Sequence, residues 1–301
     1  MELRHVRYFL AVAEARNFTR AAARLGIGQP PLSQQIRDLE AEVGARLFRR
    51  LPHGAELTEA GQAFLEHVRH LPAQAGDAIA QARRAARGET GTLRLGFTAS
   101  AILMPAVTGA IRAFRRAWPA VAVALDEDNS AHLAAKLRDG RLDLAFLRQD
   151  GAAIDDMAQH PIADEPMVAA LPAAHPLVRD ARRRSLRLEQ LREEAFILTP
   201  RPVGAPFHDA ILAACHAAGF APRLGPHAPQ LASALALVAA ELGVSVVPAV
   251  MRQFALGGVA YRAIAGPRPI ARLTLAHPRD RDIAAVANFV ALAIPAHAAS
   301  R

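Results

Sequence analysis

Residues 18–50 read FTRAAARLGIGQPPLSQQIRDLEAEVGARLFRR, and they predict two short helices joined by a tight turn. Thr19 is placed to cap a helix through Ala21, Ala22, Ala23 and Leu25, and Gly26 ends it. The small side chains let a second helix cross closely. That second helix starts near Gly28. Pro30 and Pro31 fall in its first turn, where amide protons have no acceptor within the helix, so the two prolines cost little there and would break it anywhere later. Leu32, Ile36, Leu39 and Val43 follow at spacings of 4, 3 and 4, giving one inward apolar stripe. Gln29, Ser33, Gln34 and Arg37 then lie on the other face, near the end that a recognition helix pushes into the major groove.

The run AAARLGIGQPPLSQQIRDLEAEVGARLFRR, followed by LTEAG at residues 57–61, closely resembles the winged helix-turn-helix of LysR-type transcriptional regulators. The resemblance implies a ligand-responsive regulator, dimeric or tetrameric, with double-stranded DNA and a small-molecule effector as partners and RNA polymerase as a further candidate. It implies DNA contacts from Thr19, Arg20, Gln29, Pro30, Ser33, Gln34, Arg37, Arg49, Arg50 and His53. Three positions depart from the family's usual residues. Gly28 stands where Ser or Ala is frequent, Leu51 where Thr or Ser is usual, and His53 where the wing more often offers Arg. A histidine is mostly neutral at pH 7 by its ordinary pKa and gives a weaker phosphate contact.

Composition bounds the rest. A chain of 301 residues, 52% apolar and 21% charged, is globular and long enough for two or three compact units. Cys215 is the single cysteine, which excludes an intrachain disulfide or a thiolate-rich metal site and favours a reducing compartment. The net charge of +8 comes almost wholly from arginine, Lys136 being the only lysine. Residues 1–88 hold 13 arginines against 9 acidic residues, a net +4, which is half of the total. Bulk charge therefore does not single out the N-terminal part, and the motif carries the argument for DNA.

The opening MELRHVRYFLAVAEA has basic residues before an apolar run, as a signal peptide does. The run is too short, however, and Leu3, Val6, Leu10 and Ala13 make a helical face that packs under the recognition helix. No uncharged apolar stretch is long enough to span a membrane. The expected compartment is the cytoplasm.

Beyond Gly44, residues 47–57 predict two short wing strands around Pro52, His53 and Gly54, with Arg49 and Arg50 at the entry, facing phosphate or simply solvated. From Thr58 a long helix carries Gly61, Phe64, Val68, Leu71, Ala75, Ala78, Ala82 and Ala85 at alternating spacings of 3 and 4, a seam for a partner helix. Pro72 kinks it. Arg83, Arg84, Arg87, Gly88 and Gly91 mark its exit.

From Thr92 strand and helix patterns alternate: TLRLGF ends in the loop Thr98–Ser100, Val121–Leu125 and LDLAFL are strands, and the pattern recurs from Ala195 to Val247. Continuous apolar strands between helices predict a parallel sheet covered on both faces, with ligands at the strand C-termini. Two such halves joined by two crossovers resemble the effector-binding domain of the same regulators, itself similar to periplasmic binding proteins. The resemblance here rests on GFTAS-x(4)-P, GRLDLAFLR and LALVAAELGVSVVP, where Glu241 replaces the usual Gly. The fold class expected is thus α/β: an N-terminal winged helix-turn-helix over 1–58, a linker and dimerisation helix over 59–90, and a two-lobed α/β effector domain over 91–301. Lobe I comprises about 91–162 and 267–301, and lobe II about 163–266. By the same resemblance Thr98 and Ser100 sit at a helix N-terminus facing the effector, Asn129 and Thr199 occupy the next such loops, and Arg148 and Arg201 pair with a carboxylate. Each residue also has a plain alternative as a helix cap or surface charge.

Nothing points to catalysis. The sequence has no HExxH, GxSxG or P-loop, and Cys215 and His216 are adjacent on a helix, about 100° apart, so they do not face one another as nucleophile and base. No metal or cofactor is expected. The reading is a transcriptional regulator sensing a small acidic metabolite. The alternatives are a cytoplasmic small-molecule-binding protein, which has no use for the first 90 residues, and a constitutive nucleoid-type DNA binder, which needs no ligand cleft.

Overall fold

The structure, a computed structural model, describes the chain except residues 53, 150–153, 180–183 and 295–301. It divides into two compact units, Met1–Arg84 and Ala85–Arg301.

In the first unit, α1 (Leu3–Ala15), α2 (Phe18–Leu25) and α3 (Gln29–Val43) are followed by the hairpin strands β1 (Phe48–Leu51) and β2 (Gly54–Leu57). α2 is capped by Asn17 and not by Thr19: the Asn17 side chain accepts from the Arg20 amide at 3.0 Å. Asn17 is the last residue with extended backbone, so its oxygen reaches the third helical amide, whereas Thr19 already lies inside the helix. α3 starts from Gly28 with its prolines in the first turn and ends at Gly44, φ 75°. Phe9, Phe18, Phe48 and Phe64 form the centre of the core, with ring centroids 4.9 to 5.7 Å apart. Each fully buried phenylalanine contributes about 1.5–3 kcal/mol.

The expected long helix is two helices, α4 (Glu59–Val68) and α5 (Leu71–Ala86), separated at Arg69 and His70. Pro72 cannot donate to the Val68 carbonyl, so the break falls one turn before it. The first half of the expected partner seam is spent at home. Gly61 and Val68 are buried, and Phe64, Leu65 and Leu71 pack on the N-terminal core. A Cβ on Gly61 would come 2.0 Å from the Leu47 carbonyl oxygen, so only glycine lets α4 approach the wing. α5 by contrast has no buried residue, and Ile79 is 54% exposed.

The second unit runs β3 (Gly91–Phe97), α6 (Pro105–Ala117), β4 (Val121–Glu127), α7 (Ser130–Arg138), β5 (Leu144–Gln149), β6 (Met157–Pro172), α8 (Pro176–Arg179), β7 (Ser185–Leu186), β8 (Ala195–Phe196), α9 (Arg201–Ala217), β9 (Arg223–Leu224), α10 (Leu231–Ala239), β10 (Ser245–Pro248), β11 (Val259–Ile264), β12 (Ile270–Pro278) and α11 (Ala284–Ala293). The main sheet has the order β4-β3-β5-β12-β6-β11-β7, with β10 also on β6. It is mixed, not all parallel. β3 pairs parallel with β4 and β5, but β12 pairs antiparallel with both β5 and β6. The returning strand β12 enters from the opposite end, between β5 and β6, which run the same way; strand-and-helix alternation alone does not reveal this.

β6 spans 16 residues. Its first part pairs with β12, and its second part pairs with β10 and β11 in the other lobe. Leu93, Leu95, Phe114, Phe146 and Phe289 fill one lobe; Phe196, Leu198, Ile211, Cys215 and Val246 fill the other. No helix among the described residues is long and apolar enough to cross a membrane.

Glu241 follows α10 with φ 62°, and the Leu242 amide donates to the Leu237 carbonyl at 3.1 Å, the closure that normally favours glycine. Glu241→Gly should therefore raise stability by about 0.5–1 kcal/mol. Urea unfolding checks this, and an unchanged or lower midpoint contradicts it.

Candidate DNA-reading face and effector cleft

On α3, Gln29, Gln34 and Arg37 are exposed, and hydrogen bonds among the polar side chains hold them in place. Gln29 Nε2 donates to Ser33 Oγ at 3.0 Å, Arg37 Nη2 to Gln34 Oε1 at 2.5 Å, and Gln34 Nε2 to Asp38 Oδ1 at 2.7 Å. Ser33, expected on the open face, is only 5% exposed. It lies on the buried side of the helix beside Leu32, and supports Gln29 through its hydroxyl. Pro30 is exposed at the helix start, and Thr19 and Arg20 are exposed in the first turn of α2, where Arg20 donates to the Ala15 carbonyl at 2.8 Å.

On the wing, Arg49 faces Glu56 across the hairpin at 2.9 Å, and the Arg50 guanidinium lies 4.9 Å over the Phe18 ring. An exposed pair of this kind is worth little in water. His53 falls outside the described residues. A groove of about 870 Å³ runs between α3 and the wing, lined by Arg37, Glu40, Arg46, Arg49, Arg50 and Thr58 among others.

A second cavity, of about 370 Å³, lies between the two lobes of the C-terminal unit. Thr98, Ser100, Asn129 and Arg148 line it from one lobe and Thr199 from the other, against an apolar wall of Val203, Phe207 and Leu231. Thr199 sits close because Gly204 faces it: a Cβ there would come 2.8 Å from Thr199 Cγ2. Asn129 lines the cavity and also caps α7, its side chain accepting from the His132 amide at 3.0 Å.

Four residues behave differently from expectation. Thr98 follows β3 directly and is not at a helix N-terminus, and neither is Ser100. Ser100 is buried in the turn before α6, which starts only at Pro105, and its Oγ accepts from Arg148 Nε at 3.2 Å. Arg148 lines the cavity but is 2% exposed and already paired, Nη2 to Glu165 Oε2 at 2.8 Å, with Nη1 on the Ala271 carbonyl. Burial pushes its pKa down, and the Glu165 carboxylate offsets only part of this. Arg201 does not line the cavity at all; it is exposed at the start of α9 and forms a forked pair with Asp209 at 3.0 and 3.1 Å.

The rim carries Glu127 and Asp128. Burial would raise the Asp128 carboxyl, but Lys136, the Asn129 amide and His132 together hold it below the usual range.

Residues 3–62 match the family described as "Bacterial regulatory helix-turn-helix protein, lysR family", and residues 86–297 match "LysR substrate binding domain". The chain belongs to the LysR family of transcriptional regulators. It is 38% identical over 283 residues to the "Uncharacterized HTH-type transcriptional regulator YnfL" of Escherichia coli strain K12, covering 94% of each chain. To the "HTH-type transcriptional regulator BudR" of Raoultella terrigena it is 39% identical, covering 88% of this chain and 90% of the relative. Among solved structures it resembles full-length CbnR complexed with its target DNA, with a TM-score of 0.81, 30% identity, and coverage of 97% and 98%.

This LysR-family regulator is thus a DNA-binding protein with an effector-binding domain, and not an enzyme. Its thiol fits that reading. Cys215 is buried, and burial pushes its pKa up to about 11, so it packs and does not react. Sequence reading missed Glu165, Arg46 and Glu40. Glu165 lies 17 residues from its partner Arg148 on a different strand, and no periodicity marks such a pair. Arg46 was within sight, in the basic run ARLFRR.

Proposed function

We propose that the N-terminal unit reads a pseudo-palindromic site in double-stranded DNA, and that a small metabolite bound between the two lobes changes how that site is occupied. The observation that carries this reading is a cavity of about 370 Å³ lined from both lobes of the C-terminal unit, in a chain whose first unit exposes Gln34 and Arg37. The domain limits proposed are 1–58 for DNA reading, 59–90 for the linker helices, and 91–301 for effector binding, with lobe I at about 91–162 and 267–301 and lobe II at about 163–266. Two or four copies assemble through the exposed stripe of α5, Ala78, Ile79 and Ala82. RNA polymerase is a further partner, and the cytoplasm is the compartment.

The effector proposed is a small carboxylic acid with a single carboxylate. Arg148 is neutralised by Glu165 and Arg201 faces away, so that carboxylate is held by hydroxyls and amide N–H groups at Thr98, Thr199 and the first turn of α10. Glu127 and Asp128 repel a second carboxylate. A panel of monocarboxylates, dicarboxylates and neutral amides of the same carbon skeletons, read by thermal shift, tests this. The monocarboxylates should raise the melting temperature, and stabilisation by dicarboxylates alone would contradict the class.

Thr98 gives the site a second test. Its Oγ1 is buried without a hydrogen-bond partner among the described residues, which costs about 1–3 kcal/mol. Thr98→Val keeps the shape and removes that cost. The variant should unfold at higher urea than the wild type, by about 1 kcal/mol, and lose its thermal response to the carboxylate. A destabilised variant that still responds contradicts the assignment of Thr98.

A further inference from the structure

We infer that Glu40 is the positioning residue for backbone-phosphate binding, the group that sets the distance between the recognition helix and the wing. Glu40 lies on the last turn of α3, one turn after Arg37. Its backbone carbonyl accepts from the amides of Gly44 and Ala45, at 2.9 and 3.2 Å. Its carboxylate oxygen Oε1 accepts from the amides of Leu47 and Phe48, at 2.8 and 3.1 Å. One residue therefore holds four amides of the segment that turns the chain from helix to wing. The far side of that segment is fixed as well: Thr58 Oγ1 donates to the Arg46 carbonyl at 2.6 Å, and the Thr58 amide to the Leu47 carbonyl at 3.0 Å.

Arg46, Arg49 and Arg50 ride on this clamped stretch, and Arg37 faces them across the groove. Among the described residues Glu40 is the only acidic side chain lining that groove, and its bonded oxygen is turned onto backbone amides. The walls are otherwise basic, so the groove suits the phosphodiester backbone of one DNA strand. Charge alone does not place four guanidinium groups around a phosphate. The Glu40 clamp fixes the backbone from which three of them reach the groove.

The test compares Glu40→Ala with Glu40→Gln in the full-length protein, titrating cognate and unrelated duplex DNA over a range of salt. Both variants remove a negative charge beside the groove, but glutamine keeps an acceptor oxygen for Leu47 and Phe48. Glu40→Ala should weaken binding to both duplexes about tenfold near physiological salt, and lower the slope of log affinity against log salt by about one. Glu40→Gln should bind both at least as well as the wild type. A purely structural role would lower the melting temperature and leave the salt slope alone. The inference is overturned if Glu40→Ala keeps the wild-type slope, or if the two variants behave alike. Should Glu40→Ala fail to fold, Glu40→Asp, one methylene short with its charge kept, should show the same loss of slope. Fast hydrogen exchange at the Leu47 and Phe48 amides should accompany it, and slow exchange there overturns the clamp.

Discussion

Glu165→Ala should destabilise the C-terminal unit by roughly 3–5 kcal/mol, because it strands a buried guanidinium without a counter-charge. Arg148 is 2% exposed and Glu165 is 8% exposed. Arg148 on β5 also donates to the Ser100 hydroxyl and to the Ala271 carbonyl on β12, while Glu165 on β6 accepts from the Val250 amide. Loss of the carboxylate leaves both Arg148 and the Val250 amide without that acceptor. Loss of both charges is a different matter, since an apolar pair of similar volume is often as stable as a buried ion pair. The double variant Arg148→Met, Glu165→Leu should therefore recover most of the loss. Urea unfolding of the three proteins decides it. A cost below about 1 kcal/mol for Glu165→Ala would mean that the pair is solvated.

The second large effect lies on the recognition helix. Arg37 bonds to Gln34, and Gln34 to Asp38, so the two side chains proposed to read DNA are held in one hydrogen-bonded unit. Gln34→Ala with Arg37→Ala should lower affinity for the cognate site by on the order of 2–4 kcal/mol. The loss should be less than the sum of the single changes, because coupled residues are not additive. Arg37→Ala alone distinguishes its two possible partners. If it reads a base, cognate binding falls and unrelated DNA binds as before; if it meets phosphate in the groove, both fall together. Undiminished cognate binding by the double variant would remove α3 from the reading role.

Much of the N-terminal unit was legible in the sequence because its signals are local. Glycines at 26 and 44 stop the helices, prolines at 30 and 31 open α3, and Leu32, Ile36 and Leu39 face the core, whereas Val43, expected on the same stripe, is 40% exposed at the helix end. Local signals misled where two residues compete for one role. Asn17 and Thr19 can both cap, and backbone conformation chooses between them. The helix from Thr58 was legible as a stripe but not as two helices with different fates. Spacing shows which residues share a face, but not that Phe64 meets Phe9.

In the C-terminal unit the loops that line the cleft were legible, since strand ends and helix starts have recognisable sequences. What those side chains hold was not. Arg148 and Arg201 look alike in sequence, each following an apolar strand. One is committed to a buried glutamate on another strand, and the other to Asp209 eight residues later on its own helix. The reversed direction of β12 was equally hidden, because pairing partners in a mixed sheet are set by the chain's return path.

The most direct test of the central claim, that a ligand in the cleft alters DNA occupancy by the N-terminal unit, is a footprint. The full-length wild type and Thr98→Val are bound to a cognate site obtained by in vitro selection, with and without the monocarboxylate that gives the largest thermal shift. A ligand moves such an equilibrium only by its difference in affinity for the two states, typically about 1–3 kcal/mol, so the footprint is read at saturating ligand. The account predicts that the wild-type footprint changes in extent or strength on adding ligand, while Thr98→Val gives the ligand-free footprint under both conditions. An identical wild-type footprint with and without saturating ligand, or a Thr98→Val footprint that shifts as the wild type's does, would contradict it.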